Sequence, residues 1–518
     1  MPRLPHFFLV CALALGLASP FSGAAEPATD SAQNPAKAQA KADIPEPLHA
    51  ESKQRVKIDG KTIDLKATAG QLLMKDDKGE PIALFGYTAY EKEGADRRTR
   101  PVLFAYNGGP GSASMWLHMG ILGPQRTVVN DGDFATEGPF RRVNNAFSIL
   151  DLADVVMIDP VGTGFSIPVG EAKGEDFWGV DQDIASVSDF IARWTTDNGR
   201  WQSPKYLLGE SYGGIRSGGV AYQLLQTHSI ALNGVILVSP YMDFAAGNAG
   251  LAMDLPYVNY FSTYAATAWY HKAIDNRPDN LQAFLRQAED FAENVYAPVL
   301  FKGASATAEE RQRVLAGMER FTGISADYWD RANLRVDEGR FAKELLRDRR
   351  QTTGRIDSRF VNDGLNHIGE QFTYDPFFPA VGPAFVATFN DYYREVLGVK
   401  TDRKYVTSGG LFMRWDNTHA QPGQTQYEKV PYANTAVDLA HTMVQNPNMR
   451  LLVQQGYYDL ATPYGATDHF LNHLPIPERL RDHITVEHYE AGHMMYIHPP
   501  SMKKFRDDLA AFIAAGQG

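Results

Sequence analysis

The pentapeptide Gly209-Glu210-Ser211-Tyr212-Gly213 constrains this chain more than any other stretch of it. The apolar run Tyr206-Leu207-Leu208 precedes it and reads as a strand, and the small and apolar residues from Gly213 to Leu225 read as the start of a helix. Strand, sharp turn and helix in so few residues lift the central serine hydroxyl off the end of a sheet. The flanking glycines suit that turn, where a Cβ would meet neighbouring backbone. Ser211 is thereby a candidate nucleophile toward a carbonyl carbon. Taken alone, the same pattern is also an ordinary strand-to-helix turn in a chain with 45 glycines. A hydrolytic reading needs a base, an acid that orients it, and donors for an oxyanion.

Each has a candidate. The strand-like run Arg450-Leu451-Leu452-Val453 leads to Gly456-Tyr457-Tyr458-Asp459, and Ile484-Thr485-Val486-Glu487-His488 leads to Ala491-Gly492-His493-Met494. Ser211, Asp459 and His493 then follow the order Ser…Asp…His of the α/β-hydrolase fold. In that arrangement His493 takes the Ser211 proton, and Asp459 fixes the imidazole tautomer and stabilises the imidazolium. Leu103 to Gly111 is a strand running into a glycine-rich turn, a source of main-chain N–H donors together with Tyr212, the residue after the nucleophile. The turn lacks the G-K-[ST] ending of a phosphate loop. His469 and His473 lie four apart, as metal-binding pairs do, but no H-E-x-x-H glutamate accompanies them and they read as structural. No metal or cofactor is expected. Arg216, near the elbow, reads as half of a helix-surface ion pair.

The remaining strand signals extend this to an α/β architecture with a mixed, mostly parallel central sheet. Val56 to Leu65 alternates around Asp59-Gly60 as a hairpin, Ile82 to Tyr90 and Pro101 to Tyr106 read as strands, and Val155–Ile158 and Gly234–Val238 read as buried parallel strands. Asp181 to Thr195 reads as a helix between strands. Between 242 and 433 the character changes: Tyr257 to Tyr270 is aromatic-rich, 280–350 is charged and helix-prone, and Thr307…Glu310 forms a capping box. This block is expected as a largely helical cap inserted into a hydrolase core of 51–241 and 434–518. Residues 1–25 read as a signal peptide: Arg3, an apolar run from Phe7 to Ala18 too short to span a bilayer, and small residues at Ser22–Ala25. Residues 26–50, rich in Ala, Pro, Lys and Asp, read as a flexible lead-in. The only cysteine, Cys11, falls in the signal segment, so the mature chain is expected to be cysteine-free, without a membrane span, and exported to a periplasm or the medium. A net charge of −11 speaks against a nucleic-acid partner.

Four motifs in sequence resemble the serine carboxypeptidases: Asn107-Gly108-Gly109-Pro110-Gly111-Ser112-Ala113-Ser114, Asp159-Pro160-Val161-Gly162-Thr163-Gly164-Phe165-Ser166, Gly209 to Gly214, and Ala491-Gly492-His493-Met494. The resemblance implies Ser211, Asp459 and His493 as the triad and Gly109 and Tyr212 as oxyanion donors. It also implies Asn107 and Glu210 as the residues that hold the terminal carboxylate of a peptide substrate. An ionised Glu210 would repel that carboxylate, so the role requires a shared proton and favours acid. Against the family pattern, Ser112 stands where a disulfide cysteine is usual, Tyr457 replaces an acid, and Glu490 replaces a glycine. Ile121 stands where many members carry a second Glu that shares a proton with the first. The activity implied is release of single residues from peptide C-termini through an acyl-enzyme. The alternatives are an esterase or acyltransferase on the same triad, and a non-catalytic binding protein on the same scaffold.

Overall fold

In the computed structural model, residues 44–247, 250, 252–425 and 428–516 are described. The expected signal peptide, and the lead-in as far as residue 43, lie outside the described residues. Nine strands form the path of the central sheet: β1 (His49–Ile58), β2 (Lys61–Lys75), β3 (Pro81–Lys92), β4 (Val102–Tyr106), β5 (Asp154–Ile158), β6 (Lys205–Glu210), β7 (Gly234–Val238), β8 (Arg450–Gly456) and β9 (Ile484–Tyr489). Their order is β1-β2-β3-β5-β4-β6-β7-β8-β9, with a short strand Ile167–Pro168 beside β3. The pairs from β1 to β5 are antiparallel and those from β5 to β9 are parallel. The hairpin turns at Asp59-Gly60, both at positive φ, as the alternation predicts. However, β1 starts at His49, seven residues before the alternation begins at Val56 and inside the expected lead-in. Its first half is polar and half-exposed, so no alternation betrays it.

The inner parallel strands β4 to β8 are short, largely apolar runs because both of their faces are covered, while the edge strand β9 is half-buried. Leu103, Val155, Tyr206, Leu208, Ile236 and Leu452 point into one core, and Phe104, Val156, Leu207, Val235, Leu451 and Val453 into the other. The helices α1 (Val180–Asp197), α2 (Gly213–His228), α5 (Ala436–Gln445) and α6 (Pro499–Ala515) supply much of the cover. Of these, α1, α2 and α5 line the second core, while Phe505, Leu509 and Phe512 of α6 line the first. Between β7 and β8 the chain is mainly helical. From α3 (Leu255–Tyr270) to Ala342 it builds a core of its own, joined by Tyr458 and Leu460. The capping box at Thr307 forms, with Thr307 Oγ1 accepting from Glu310 N. Farther on, α4 (Phe377–Asp391) packs Phe377, Val381, Phe385 and Phe389 into the first core of the sheet. No helix among the described residues is long and apolar enough to cross a membrane.

The segment from Tyr405 to Asn434 straps over the sheet end where the elbow lies. Its backbone bridges run Val406 to Gly164, Ser408 to Ser112, Asp416 to Gly179 and Asn434 to Asp243. A buried histidine clamps it: His419 Nδ1 is 2.7 Å from Asp181 Oδ1 on α1, and Nε2 is 3.0 Å from Asp438 Oδ2 on α5. Burial pulls His419 down, but the two carboxylates outweigh it and hold it at about 9. A folded value above the usual 6.5 means that this stabilisation is complete below pH 6.5 and is lost as the pH rises through about 9. His419→Gln, which cannot carry the charge, should therefore lower Tm most at about pH 6, with the deficit shrinking toward about pH 10. Thermal melts across that range check this, and a pH-independent deficit would contradict a charged clamp.

Candidate active site

The elbow is built where β6 ends. Ser211 sits in the left-handed region at φ 61, and its carbonyl accepts from both Gly214 N and Tyr241 N. Gly209 is obligatory, since a Cβ there would lie 2.2 Å from the Gly213 carbonyl oxygen. The amino end of α2 lies directly beyond Ser211, so its unpaired N–H groups favour negative charge near the serine.

Asp459 follows β8 and His493 follows β9, as the sequence order requires. Asp459 Oδ2 accepts from His493 Nδ1 at 2.7 Å and from Thr462 Oγ1 at 2.6 Å, while Oδ1 accepts from the main-chain N–H groups of Ala461 and Thr462. The carboxylate is fully buried and fixed on both oxygens. Burial lowers His493, but Asp459 and then Glu210 outweigh it and leave it above its ordinary value. Ser211 and His493 line one cavity of about 600 Å³. Among the described residues no hydrogen bond closes from Ser211 Oγ to His493; such contacts are often loose without substrate.

The glycine-rich turn after β4 presses against the elbow. A Cβ on Gly108 would lie 2.4 Å from Tyr212 N and 2.6 Å from the Glu210 carbonyl oxygen. Main chain therefore meets main chain, and the Gly109 and Tyr212 N–H groups take no partner among the described residues. Trp415 Nε1 donates to Tyr212 Oη at 3.1 Å and anchors that residue to the strap. Asn107 Oδ1 accepts from Leu117 N at 3.2 Å, which leaves its amide N–H groups to face Glu210. Glu210 is buried, and burial raises it to about 7 against the opposing pull of His493, Tyr496 and Asn107.

Arg216 differs from its sequence reading. It is fully buried rather than on the helix surface: Nε donates to Asp183 Oδ2 at 2.7 Å and Nη1 to the Asn107 carbonyl at 2.8 Å. Its guanidinium lies over the Tyr106 and Tyr212 rings. Ten residues of α1 and α2 are glycine, serine or alanine, and the close packing they allow carries Arg216 inward; no periodicity marks it out. Ile121 is buried beside Gly120, and Tyr496 instead reaches Glu210, its hydroxyl donating to Oε2 at 2.7 Å. Thr462, Tyr496 and Asp183 were not singled out in the sequence. Thr462 and Tyr496 each lie three residues beyond a motif residue, which is the only signal they give. The cavity walls are aromatic, with Trp116, Tyr241, Phe244, Tyr260, Phe378 and Phe412, and carry one loose ion pair, Arg355 with Glu338 at 3.9 Å. The His469 and His473 rings lie 4.0 Å apart, and no cluster of metal-ligating side chains occurs among the described residues.

The sequence profile of the serine carboxypeptidase family matches residues 59–356, more than half of the chain. The match includes the glycine turn and the elbow but stops before Asp459 and His493. The chain is similar to serine carboxypeptidase-like 36 of Arabidopsis thaliana, 28% identical over 170 residues, or 32% of this chain and 33% of that protein. The matched region thus spans about a third of this curated relative. The fold is similar to that of a prohormone-processing carboxypeptidase from Saccharomyces cerevisiae, with a TM-score of 0.50 and 16% identity over 86% of this chain and 91% of that one.

The contact at Gly108 is directly testable. Gly108→Ala should cut labelling of Ser211 by a fluorophosphonate about a hundredfold or more, the scale of losing an oxyanion donor. Labelling at the wild-type rate would contradict the close approach of turn and elbow.

Proposed function

The chain belongs to the serine carboxypeptidase family, and from that premise we propose that it removes single residues from peptide C-termini through an acyl-enzyme on Ser211. Ser211 Oγ attacks the scissile carbonyl while His493 takes its proton. Asp459, held by two main-chain N–H groups and Thr462, keeps Nδ1 protonated and stabilises the imidazolium. The oxyanion lies between the Gly109 and Tyr212 N–H groups, donors that need no rearrangement as charge develops. His493 then protonates the leaving amine, and water attacks the acyl-enzyme by the reverse path.

The observation that carries the exopeptidase reading is Glu210, a buried carboxyl held up to about 7 in the same cavity as Ser211 and His493. A neutral acid there, with the Asn107 amide, can hold a substrate carboxylate by hydrogen bonds without opposing it with charge. An esterase has no use for such a group.

The same reading takes residues 242–433 as a cap that shapes the side-chain pockets, with aromatic walls suited to bulky apolar residues. It takes 1–25 as an export signal and the enzyme as a bacterial protein of the periplasm or medium. The apolar run at Phe7–Ala18 and the lack of any cysteine after Cys11 support this.

Two opposed limbs follow for pH. Acylation needs neutral His493, whose value is raised, so turnover of any substrate climbs with pH. Free-acid substrates also need neutral Glu210, which is lost above about 7. The optimum for an N-blocked dipeptide should therefore lie below that for an ester of the same peptide. Glu210→Gln should lower kcat/KM for the free acid by about tenfold or more, the scale of one hydrogen bond to a charged group, and spare the ester. Release of the terminal amino acid from the free acid, but only weakly from its amide, is the expected outcome. Ester turnover without peptide cleavage would overturn the carboxypeptidase reading.

A further inference from the structure

Tyr496 is the hydroxyl partner of Glu210 in a chain where Ile121 stands at the position of the family's usual second acid. Its ring is fully buried on the short helix Met495–Ile497, directly after His493. The room for it is specific: a Cβ on Gly120 would lie 2.3 Å from Tyr496 Cδ2. The segment that carries Ile121 in place of a second acid is thus also the one that opens space for the tyrosine. The hydroxyl donates to Glu210 Oε2 at 2.7 Å.

We propose that Tyr496 is the positioning residue for recognition of the substrate's terminal carboxylate, fixing which oxygen of Glu210 carries the proton. This rests on the carboxypeptidase reading above. The chemistry differs from that of a carboxyl pair. Two carboxyls sharing a proton can each carry it, and either oxygen can face the ligand. A phenol beside Glu210 stays protonated, since burial and then the charge of Glu210 raise it well above its ordinary value. Its O–H therefore always donates, Oε2 always accepts, and the Glu210 proton is directed to Oε1, the oxygen left to meet a carboxylate in the cavity that Glu210 lines. The step is a hydrogen bond from Oε1–H to a substrate oxygen, with no bond broken and no proton lost to solvent.

The same hydrogen bond sets the pH range of recognition. The charged groups that act on Glu210 are His493 and Asp459, with Tyr496 and Asn107 as its polar partners. Burial raises Glu210, His493 and Tyr496 lower it, and Asp459 raises it. Removing the phenol hydroxyl removes a donor that favours the charged form, so Glu210 should stay neutral to higher pH while losing its fixed orientation.

The test compares the wild type, Tyr496→Phe, and a protein with 3-fluorotyrosine at 496, a stronger donor that keeps the ring. KM and kcat are followed from about pH 5 to 9 on an N-blocked dipeptide, its amide and its ester. For Tyr496→Phe, KM for the free acid should rise about tenfold and its alkaline limb move up by about one pH unit, the size expected for one hydrogen bond to a carboxylate. Values of kcat for the ester should stay within about twofold, well under the tenfold step that a lost hydrogen bond produces. Fluorotyrosine should move the limb the other way. Unchanged limbs in both proteins, or equal losses on free acid and ester, would overturn the role of Tyr496 while leaving the carboxypeptidase reading intact. A wild type that does not prefer the free acid to the amide would overturn both. If Tyr496→Phe fails to fold, the direction of the fluorotyrosine shift decides alone.

Discussion

Backbone pressed against backbone governs this site. The turn at Gly108 meets the elbow at Glu210 and Tyr212 with no room for a methyl group, and two consequences follow at once. The Gly109 and Tyr212 N–H groups take no partner among the described residues, and Asn107 is carried next to Glu210. Rigid strands hold both partners, since β4 and β6 are hydrogen-bonded neighbours and both groups sit at their carboxyl ends. A site assembled this way depends on strand register more than on any single side chain, and its geometry is set before substrate arrives.

Buried charge surrounds the site in a graded way. Arg216 and Asp183 lie under the turn as a paired ion couple, and His419 of the strap lies between two carboxylates. Taking such groups out of water costs several kcal/mol each unless they are paired and hydrogen-bonded. These groups are, so they tie loops to helices rather than loosening them. Glu210 is the exception. It is buried with hydrogen-bond partners and no cation that locks it, and it stays neutral well above the usual carboxylate range. A neutral buried acid that lines the cavity can recognise an anion, which a structural ion pair cannot.

The parts legible in the sequence were those written in local pattern. The elbow, the hairpin at Asp59-Gly60, the five apolar parallel strands and the capping box at Thr307 all have short-range signatures, and each forms. The chain order of Ser211, Asp459 and His493 anticipates their meeting at one cavity, because the fold brings successive strand ends to one edge. The rest depended on contacts far apart in sequence. Tyr496 reaches Glu210 across 286 positions. Arg216 looked like a helix-surface charge because its partner Asp183 lies on another helix and the depth of packing between the two is not encoded in period. The first half of β1 was hidden because an edge strand with both faces half-wet needs no alternation. Residues such as Arg355 and Glu338 enter the cavity from a region without motifs.

The bridge between Ser112 and Ser408 has a consequence outside catalysis. Ala113 N donates to the Thr407 carbonyl and Gly409 N to the Gly111 carbonyl, so main-chain hydrogen bonds join the strap to the glycine turn. With one cysteine in the whole chain, no intrachain disulfide can form there. Hydrogen bonds between peptide groups are indifferent to thiol reagents and to the glutathione poise of a compartment. The seating of the strap is therefore uncoupled from redox state. The strap needs neither an oxidase nor a disulfide isomerase to seat on the glycine turn.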